Sequence, residues 1–466
     1  MARALGAKVA LARSVGTVSR KRGGGGTSAP GKLLLRLAPD AIGVLGARLE
    51  RGSALVSATN GKTTTAAMLA AIMRRAGVAL VHNAAGANMA GGVATALLRA
   101  QRATDALGLF EVDELWLARV AAQLHPRAIL LGNLFRDQLD RYGELEAIAD
   151  SWQAALARSD AALVLNADDP LVADLGRDEG GHAREGTLYF GVQDSSLALE
   201  GLAHATDAKH CRRCGAPYVF DAVLLGHLGH YHCVSCGQRR PDPAVSAREV
   251  TLAGVRSARF TLCTPAGETR VELALPGLYN VYNALAAAAL ATALGVPLAT
   301  IAAGLQDTRA AFGRAETVTL RGEGEGAGPG RELRILLVKN PAGANEILRT
   351  LALEPGEHHL LGVLNDNIAD GRDVSWIWDA DFELLAGRVA SVTCAGTRAS
   401  DLATRMKYAG VAPERIRVRA PIAAALEEAA ADGPTDETLY ALPTYTAMLA
   451  LRELLVARGE AASAWV

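Results

Sequence analysis

The stretch Ser53-Ala-Leu-Val-Ser-Ala-Thr-Asn-Gly-Lys-Thr-Thr-Thr65 decides how the first half of this chain is interpreted. An apolar run leads into a loop of small residues, and a helical pattern follows. This arrangement is typical of a phosphate-binding loop, where backbone N–H groups and a helix N-terminus face the phosphates. The alternative is an ordinary turn between a strand and a helix. The candidate nucleotide-binding residues are Thr59, Asn60, Gly61, Lys62, Thr63 and Thr64.

The composition sets broad limits on the class of protein. The chain has 466 residues, is 50% hydrophobic and carries a net charge of -1, so two or three domains are expected and nothing favours nucleic acid. No apolar run reaches the roughly 18 residues of a membrane span, and no signal peptide is evident. We therefore expect a cytoplasmic protein.

Short apolar segments alternate with helical patterns over most of the chain. Predicted strands at 106–110, 128–131 and 162–165 are apolar on both faces, and each is followed by a polar loop. This pattern predicts a parallel α/β sheet with a site at the carboxyl ends of its strands. A second α/β pattern follows a Gly/Glu-rich linker at 322–330. We predict a flexible arm over 1–30, an α/β ATPase domain over 31–310 and a smaller α/β domain over 311–466.

An acidic loop follows the strand predicted at 106–110. Its first residue, Glu111, would lie at the same sheet edge as the loop with Thr63. Carboxylate and hydroxyl oxygens are suitable ligands for Mg²⁺, so Thr63 and Glu111 are the predicted magnesium ligands. The alternative is a solvated acidic turn.

Four cysteines form two C-x-x-C pairs within residues 205–242. Eighteen residues separate the pairs, and a glycine follows each one. This spacing is typical of a zinc ribbon, in which four thiolates close the coordination shell and leave no position for catalysis. A redox dithiol, the main alternative, would need only one pair. The predicted ligands of a structural Zn²⁺ are Cys211, Cys214, Cys233 and Cys236.

Several loops, taken in order, resemble those of the Mur ligases and folylpolyglutamate synthases. Ala58–Thr63 is similar to the family's Gly-Thr-Asn-Gly-Lys-Thr loop, and 133–143 is similar to Asn-x-x-x-Asp-His-Leu-Asp-x-His-Gly, with Gln138 in place of a metal-binding histidine. Segments 277–284 and 313–316 resemble the family's Gly-x-His-Asn-x-x-Asn-Ala and Gly-Arg-x-Glu. The resemblance implies an ATP-dependent ligase whose nucleotide is also contacted by Asn133, Asn280 and Arg314.

The C-terminal half narrows this resemblance. Segments 339–345, 364–379, 396–401 and 444–446 look like the Mur-ligase-like subunits that amidate lipid II. The resemblance implies that ATP, with Lys62 and Mg²⁺, phosphorylates the α-carboxylate of D-glutamate in the lipid II stem peptide. Ammonia from a GatD-type class-I glutamine amidotransferase would then give D-isoglutamine. Such a protein would act at the inner face of the membrane in peptidoglycan synthesis.

The ammonia source must be external, because neither Cys263 nor Cys394 lies in a Gly-x-Cys-x-Gly nucleophile elbow. The resemblance implies that a C-terminal aspartate approaches the active site of the partner. Asp373 is the first candidate, followed by Asp370 and Asp379. Alternatively, these aspartates cap helices or bind ribose.

Two other functions remain open at this point. One is a stand-alone amino-acid ligase of the Mur or folylpolyglutamate type, which would need no partner. The other is a nucleotide-dependent scaffold without catalysis. The ribbon and Gln138 argue against the first, and the joint presence of Lys62, Thr63 and Glu111 argues against the second.

Overall fold

The computed structural model describes residues 2–21, 28–83, 87–100, 104–137, 145–178, 180–202, 206–309, 314–321 and 330–462. Its helices are α1 (Ala2–Lys21), α2 (Ala29–Leu37), α3 (Ala41–Gly46), α4 (Lys62–Arg75), α5 (Ala90–Arg99), α6 (Leu117–Leu124), α7 (Leu145–Leu156), α8 (Pro170–Asp174), α9 (Leu278–Ala293), α10 (Leu298–Gln306), α11 (Pro341–Ala352), α12 (Ala399–Tyr408), α13 (Ile422–Ala431) and α14 (Tyr445–Ala457).

The strands divide into three sheets. Those before residue 275 are β1 (Ser53–Ser57), β2 (Ala79–His82), β3 (Ala106–Glu111), β4 (Ala128–Leu131), β5 (Ala162–Asn166), β6 (Thr187–Val192), β7 (Val219–Leu225), β8 (Leu228–His232), β9 (Val245–Ala253), β10 (Ser257–Thr264) and β11 (Gly267–Leu273). Those after it are β12 (Arg314–Leu320), β13 (Arg331–Leu336), β14 (His358–Val363), β15 (Val389–Ala395), β16 (Ile416–Val418) and β17 (Leu439–Pro443).

The middle domain is the part of the chain built on a nine-stranded sheet, with the order β11-β10-β9-β6-β5-β4-β1-β3-β2. The strands from β2 to β9 in this order are parallel, and β10 and β11 are antiparallel. Buried side chains of α4, α9 and α10 cover one face, and those of α2, α3, α5, α6 and α7 cover the other. Because both faces are covered, the central strands are apolar throughout. The predicted parallel α/β sheet is confirmed.

The strand order brings the polar loops together. β1 lies between β3 and β4, with Val56 opposite Glu111 and Ser57 opposite Leu131. The loops that follow these three parallel strands therefore leave the sheet side by side. Glu111 and the loop after β4 flank the segment that follows β1.

The C-terminal domain is the part built on a six-stranded sheet with the order β12-β13-β17-β14-β15-β16, parallel except for β12. Apolar clusters cover both of its faces. β13 begins at Arg331, directly after the predicted linker. Buried Arg331 donates to the carbonyls of Ala429 (3.0 Å) and Asp432 (2.7 Å), and these bonds allow a charged residue inside the strand.

The N-terminal segment differs from the flexible arm that the sequence predicts. Residues 2–21 form α1, in which Val9 and Ala12 are buried against the cluster that includes α2. Arg13 also donates to the carbonyl of Leu98 at 2.8 Å. Among the described helices, α1 included, none combines the length and the apolarity that crossing a bilayer requires.

Candidate nucleotide site at the domain junction

The phosphate loop (residues 58–63) connects β1 to α4 through a left-handed glycine. Gly61 has φ +86, and a Cβ placed there would lie 2.0 Å from Asn283 Oδ1. Only glycine fits this conformation and this space. Ala58 replaces the first glycine of the family motif, and its methyl group fits because the residue that faces it, Gly132, has no side chain. A Cβ on Gly132 would come within 2.9 Å of the Ala58 methyl group.

Lys62 is buried at the first turn of α4 and is surrounded by acceptors. Its Nζ lies 2.8 Å from Glu114 Oε2, and it also donates to the Ala58 and Thr59 carbonyls. Burial lowers the pKa of Lys62. The carboxylates of Glu114, Glu111 and Asp113 raise this pKa by more than burial lowers it, so the net shift is upward. The side chain is therefore an ammonium at neutral pH. It can neutralise the charge of a phosphate.

Thr63 and Glu111 meet as the sequence predicts. Thr63 Oγ1 donates to Glu111 Oε2 at 2.8 Å. Asn83 fixes the Glu111 backbone, because it accepts from Glu111 N at 2.9 Å and donates to the Glu111 carbonyl at 2.8 Å. The hydroxyl and the carboxylate are hard oxygen donors beside the phosphate loop, and this donor set fits Mg²⁺.

Asn133 holds the phosphate loop in shape. Its Oδ1 accepts from Asn60 N at 2.9 Å, and its Nδ2 donates to the Asn60 carbonyl at 3.0 Å. Two residues further on, Phe135 N donates to Thr59 Oγ1 at 3.1 Å. The loop after β4 (residues 133–137, the Asn133 loop) thus buttresses the phosphate loop through both side chain and backbone. Gln138 lies outside the described residues.

The C-terminal domain contacts the phosphate loop directly. Lys339 Nζ donates to the Thr59 carbonyl at 3.1 Å and lies 2.6 Å from Asp137 Oδ2. Asn340 exchanges side-chain hydrogen bonds with Asn60, at 3.0 and 3.2 Å. The sequence-based site omitted both residues. Their position just after β13 is the signal that could have identified them, because polar residues after parallel strands converge at a site.

A cavity of about 600 Å³ lies between the two domains, within the range of small-molecule sites. Asn280 lines it and donates to the Pro276 carbonyl at 2.7 Å. Asn280 Oδ1 accepts from Asn283, which in turn accepts from Thr65 in α4. Arg314 begins β12, and its side chain is not among the described ones. The predicted residues that line the cavity are Thr59, Asn60, Gly61, Lys62, Thr63, Thr64, Glu111, Asn133 and Asn280.

The three candidate aspartates lie in one C-terminal segment. Asp370 is buried, and its Oδ1 accepts from Thr446 N at 2.7 Å at the start of α14. Exposed Asp373 accepts from Ser375 N at 2.8 Å, which lowers the pKa of its carboxyl. Half-buried Asp379 directly follows a short 3₁₀ turn at Ser375–Trp378. Asp370 therefore caps a helix, whereas Asp373 and Asp379 remain near the surface.

The four cysteines of the predicted ribbon converge. Their sulfurs all lie within 4.8 Å of one another, and a tetrahedral Zn²⁺ with thiolates at about 2.3 Å would separate sulfurs by about 3.8 Å. The two turns repeat each other, since Cys211 N donates to the Ala216 carbonyl and Cys233 N to the Gln238 carbonyl, both at 2.7 Å. The donor set and its spacing fit a structural zinc ion.

The fold is the one shared by ligases of the Mur type. The structure is similar to a pseudomurein peptide ligase type C from Methanothermus fervidus, with a TM-score of 0.66, 23% identity and coverage of 89% of this chain and 80% of that one. It is also similar to a folylpolyglutamate synthase from Thermotoga maritima, with a TM-score of 0.58, 15% identity and coverage of 91% and 94%. These similarities confirm the predicted fold class.

The sequence relatives are more specific. Residues 56–221 match the Mur ligase middle domain model, and residues 337–448 match the MurT ligase C-terminal model. The MurT subunit of lipid II isoglutaminyl synthase (glutamine-hydrolyzing) from Streptococcus pneumoniae is 33% identical over 93% of both chains. The same subunit from Staphylococcus aureus strain N315 is 30% identical over 96% of both. This chain belongs to the MurT family.

Proposed function

We propose that this chain is the synthetase subunit of a lipid II isoglutaminyl synthase. It would use ATP to activate the α-carboxylate of the stem-peptide D-glutamate and would transfer ammonia to it. The single observation that carries the proposal is the convergence of Lys62, the Thr63–Glu111 pair and Lys339 on one interdomain cavity. The names of the MurT relatives supply the substrate.

The residues of the cavity suit phosphoryl transfer to a carboxylate. A carboxylate oxygen would attack the γ-phosphorus of ATP while the bond to ADP breaks, and this gives an acyl phosphate. Ammonia nitrogen would then attack the acyl carbon, so that phosphate leaves and one proton is lost. Lys62 and Lys339 would neutralise charge on the transferred group, because fixed cations in a water-poor site stabilise such charge strongly.

The two metals have separate places in this proposal. Thr63 and Glu111 would hold Mg²⁺, which supplies charge neutralisation when bound. The four cysteines would hold Zn²⁺ with a closed shell, so that its role is structural.

The segment around Asp373 supports a surface for the ammonia-producing partner. Trp378 and Tyr408 are 51% and 71% exposed, and their ring centroids lie 5.7 Å apart. Ile368, in the same segment as Asp373, is 75% exposed. Exposed aromatic and aliphatic side chains of this kind favour protein interfaces. We assign this surface to a GatD-type glutamine amidotransferase, with Asp373 directed at its active site. With a lipid-linked substrate, the complex would work at the inner face of the membrane.

The test is an amidation assay read by mass spectrometry. The chain is given ATP, Mg²⁺ and lipid II with either ammonium or glutamine, with and without the amidotransferase. We expect amidated lipid II with ammonium alone, and with glutamine only when the partner is present. Unchanged lipid II in every condition, together with ATP hydrolysis on addition of a free amino acid, would overturn the proposal in favour of a stand-alone ligase.

Substitution of Asp373 separates the half-reactions. Asp373→Asn should abolish glutamine-dependent amidation by the complex and leave ammonium-dependent amidation unchanged. Asp379→Asn is the matched comparison in the same segment, and we expect both activities to persist. Loss of the glutamine-dependent activity only in the Asp379 variant would transfer the role to that residue.

A further inference from the structure

The zinc-ribbon insert (described here over 206–242) reaches the nucleotide site with the tip of its hairpin. The turn between β7 and β8 contains Gly226 and His227, and the flanking Leu225 and Leu228 line the interdomain cavity. His227 is fully buried. The two cysteine pairs flank the open end of the β7–β8 hairpin, and the turn at its other end borders the cavity.

The tip packs against the Asn133 loop. The rings of His227 and Phe135 have centroids 4.6 Å apart, and a Cβ on Gly226 would lie 2.8 Å from the Phe135 ring. Phe135 N donates to Thr59 in the phosphate loop. Phe135 thus links the hairpin tip to the phosphate loop, because it contacts both.

A second contact passes through Asp169. His227 Nε2 lies 3.3 Å from Asp169 Oδ2, and the same oxygen accepts from Leu134 N at 2.8 Å. Both side chains of the pair are fully buried. Burial lowers the pKa of His227, but the Asp169 carboxylate and then Asp207 raise it above its usual value. The carboxylate therefore favours the protonated imidazole, and the 3.3 Å approach is a close contact rather than an aligned hydrogen bond.

The start of the insert makes a third contact with the Asn133 loop. Asp207 Oδ2 accepts from Arg136 N at 3.0 Å, and the Arg136 and Asp207 side chains form an ion pair. The Asn133 loop is consequently fixed between the phosphate loop and the insert.

We propose that His227 is a positioning residue, through which the folded zinc-ribbon insert holds the Asn133 loop, and with it the phosphate loop, in the form that binds ATP. This inference rests on the proposed function for the identity of the nucleotide and for the zinc ion in the cysteine cluster. Loss of the His227 contacts, or of the metal that folds the insert, should weaken nucleotide binding while the fold of the sheet persists.

The experiment measures binding of Mg·ADP to the full chain by calorimetry. His227→Ala is expected to raise Kd about tenfold, as loss of one buried contact to a charged group would do. His227→Gln keeps an N–H group and much of the side-chain volume beside Asp169 but not the charge, so it should recover part of the affinity. Asp221→Asn is the control, because Asp221 pairs with His232 on the exposed side of the same hairpin. We expect Kd to stay unchanged there.

Zinc content and thermal unfolding are measured on every variant. A His227→Ala variant with full zinc, wild-type Tm and weakened binding supports positioning. Removal of zinc from the unmodified chain should raise Kd by at least as much, and restored zinc should reverse the rise. Unchanged Kd in His227→Ala and after zinc removal would overturn the inference alone. Absence of any nucleotide binding by the unmodified chain would overturn the proposed function as well.

Discussion

Lys62 and Lys339 donate hydrogen bonds to one and the same backbone carbonyl, that of Thr59, although they belong to different domains. Their distances to this oxygen are 3.3 and 3.1 Å, so the two ammonium nitrogens are separated by no more than the sum of those distances. Each cation is paired with its own carboxylate, Glu114 or Asp137. A phosphoryl group bound beside Thr59 would therefore lie close to one lysine of each domain.

Replacement of Lys339 tests this convergence. Lys339→Ala is expected to lower kcat for ammonium-dependent amidation by about 100-fold, because a preorganised cation at the transferred phosphoryl group is lost. Lys407→Ala is the matched control, since Lys407 is an exposed lysine of the same domain. Initial rates of ADP release with lipid II and ammonium measure the effect. A wild-type kcat in Lys339→Ala would show that the C-terminal domain supplies no catalytic charge.

Gly61 is expected to tolerate no side chain. Gly61→Ala would place a methyl group against Asn283 and force a left-handed conformation that costs non-glycine residues about 1–2 kcal/mol. We expect Mg·ADP binding, measured by calorimetry, to weaken at least about tenfold. Ala58→Gly restores the family glycine and should leave Kd within about twofold. Equal losses in both variants would contradict the assignment of Gly61 as the one position of this loop that requires glycine.

His82 is expected to make folding pH-dependent. Burial, together with the nearby charge of Arg74, lowers the pKa of His82 to about 4, and none of the described residues forms a hydrogen bond with its Nε2. The unfolded chain, with a His pKa of about 6.5, takes up a proton first as the pH falls. The contribution of His82 to stability is therefore complete above about pH 6.5 and is lost progressively between about pH 6.5 and 4.

His82→Gln should remove this contribution to the pH dependence. Between about pH 7.5 and pH 5, the free energy of unfolding of the natural chain should fall more than that of the variant, by on the order of 1 kcal/mol. Urea titration at the two pH values measures the difference. Parallel losses in the two proteins would show that His82 titrates normally in the folded chain.

Loss of the zinc site should reduce stability. Cys214→Ser removes one of four clustered thiolates, and we expect less than one zinc per chain and a Tm lower by roughly 10 °C. Cys263→Ser is the control, because that half-exposed thiol lies on β10 outside the cluster. Elemental analysis and thermal unfolding are the measurements. An unchanged Tm in Cys214→Ser would mean that the insert folds without its metal.

Several parts of the site were predictable because they depend on neighbours in the chain. The phosphate loop, the acidic residue after β3 and the two cysteine turns are short motifs at strand ends or tight turns, and the structure brings Thr63 and Glu111 together as expected. The aspartates were harder to rank. Asp370 caps α14 at Thr446, and that contact depends on where a helix 76 residues later begins.

The sequence by itself determined the parallel α/β architecture, the phosphate loop and the cysteine ribbon, since alternating apolar strands, a Gly-Lys-Thr turn and paired cysteines are local patterns. The tertiary structure alone decided that Lys339 and Asn340 reach Thr59 and Asn60, 280 residues away, and that the tip of the ribbon hairpin supports the nucleotide site. No periodicity encodes such contacts. They arise only when two separately folded sheets and an insert pack together, and that packing depends on the shape and charge of whole surfaces.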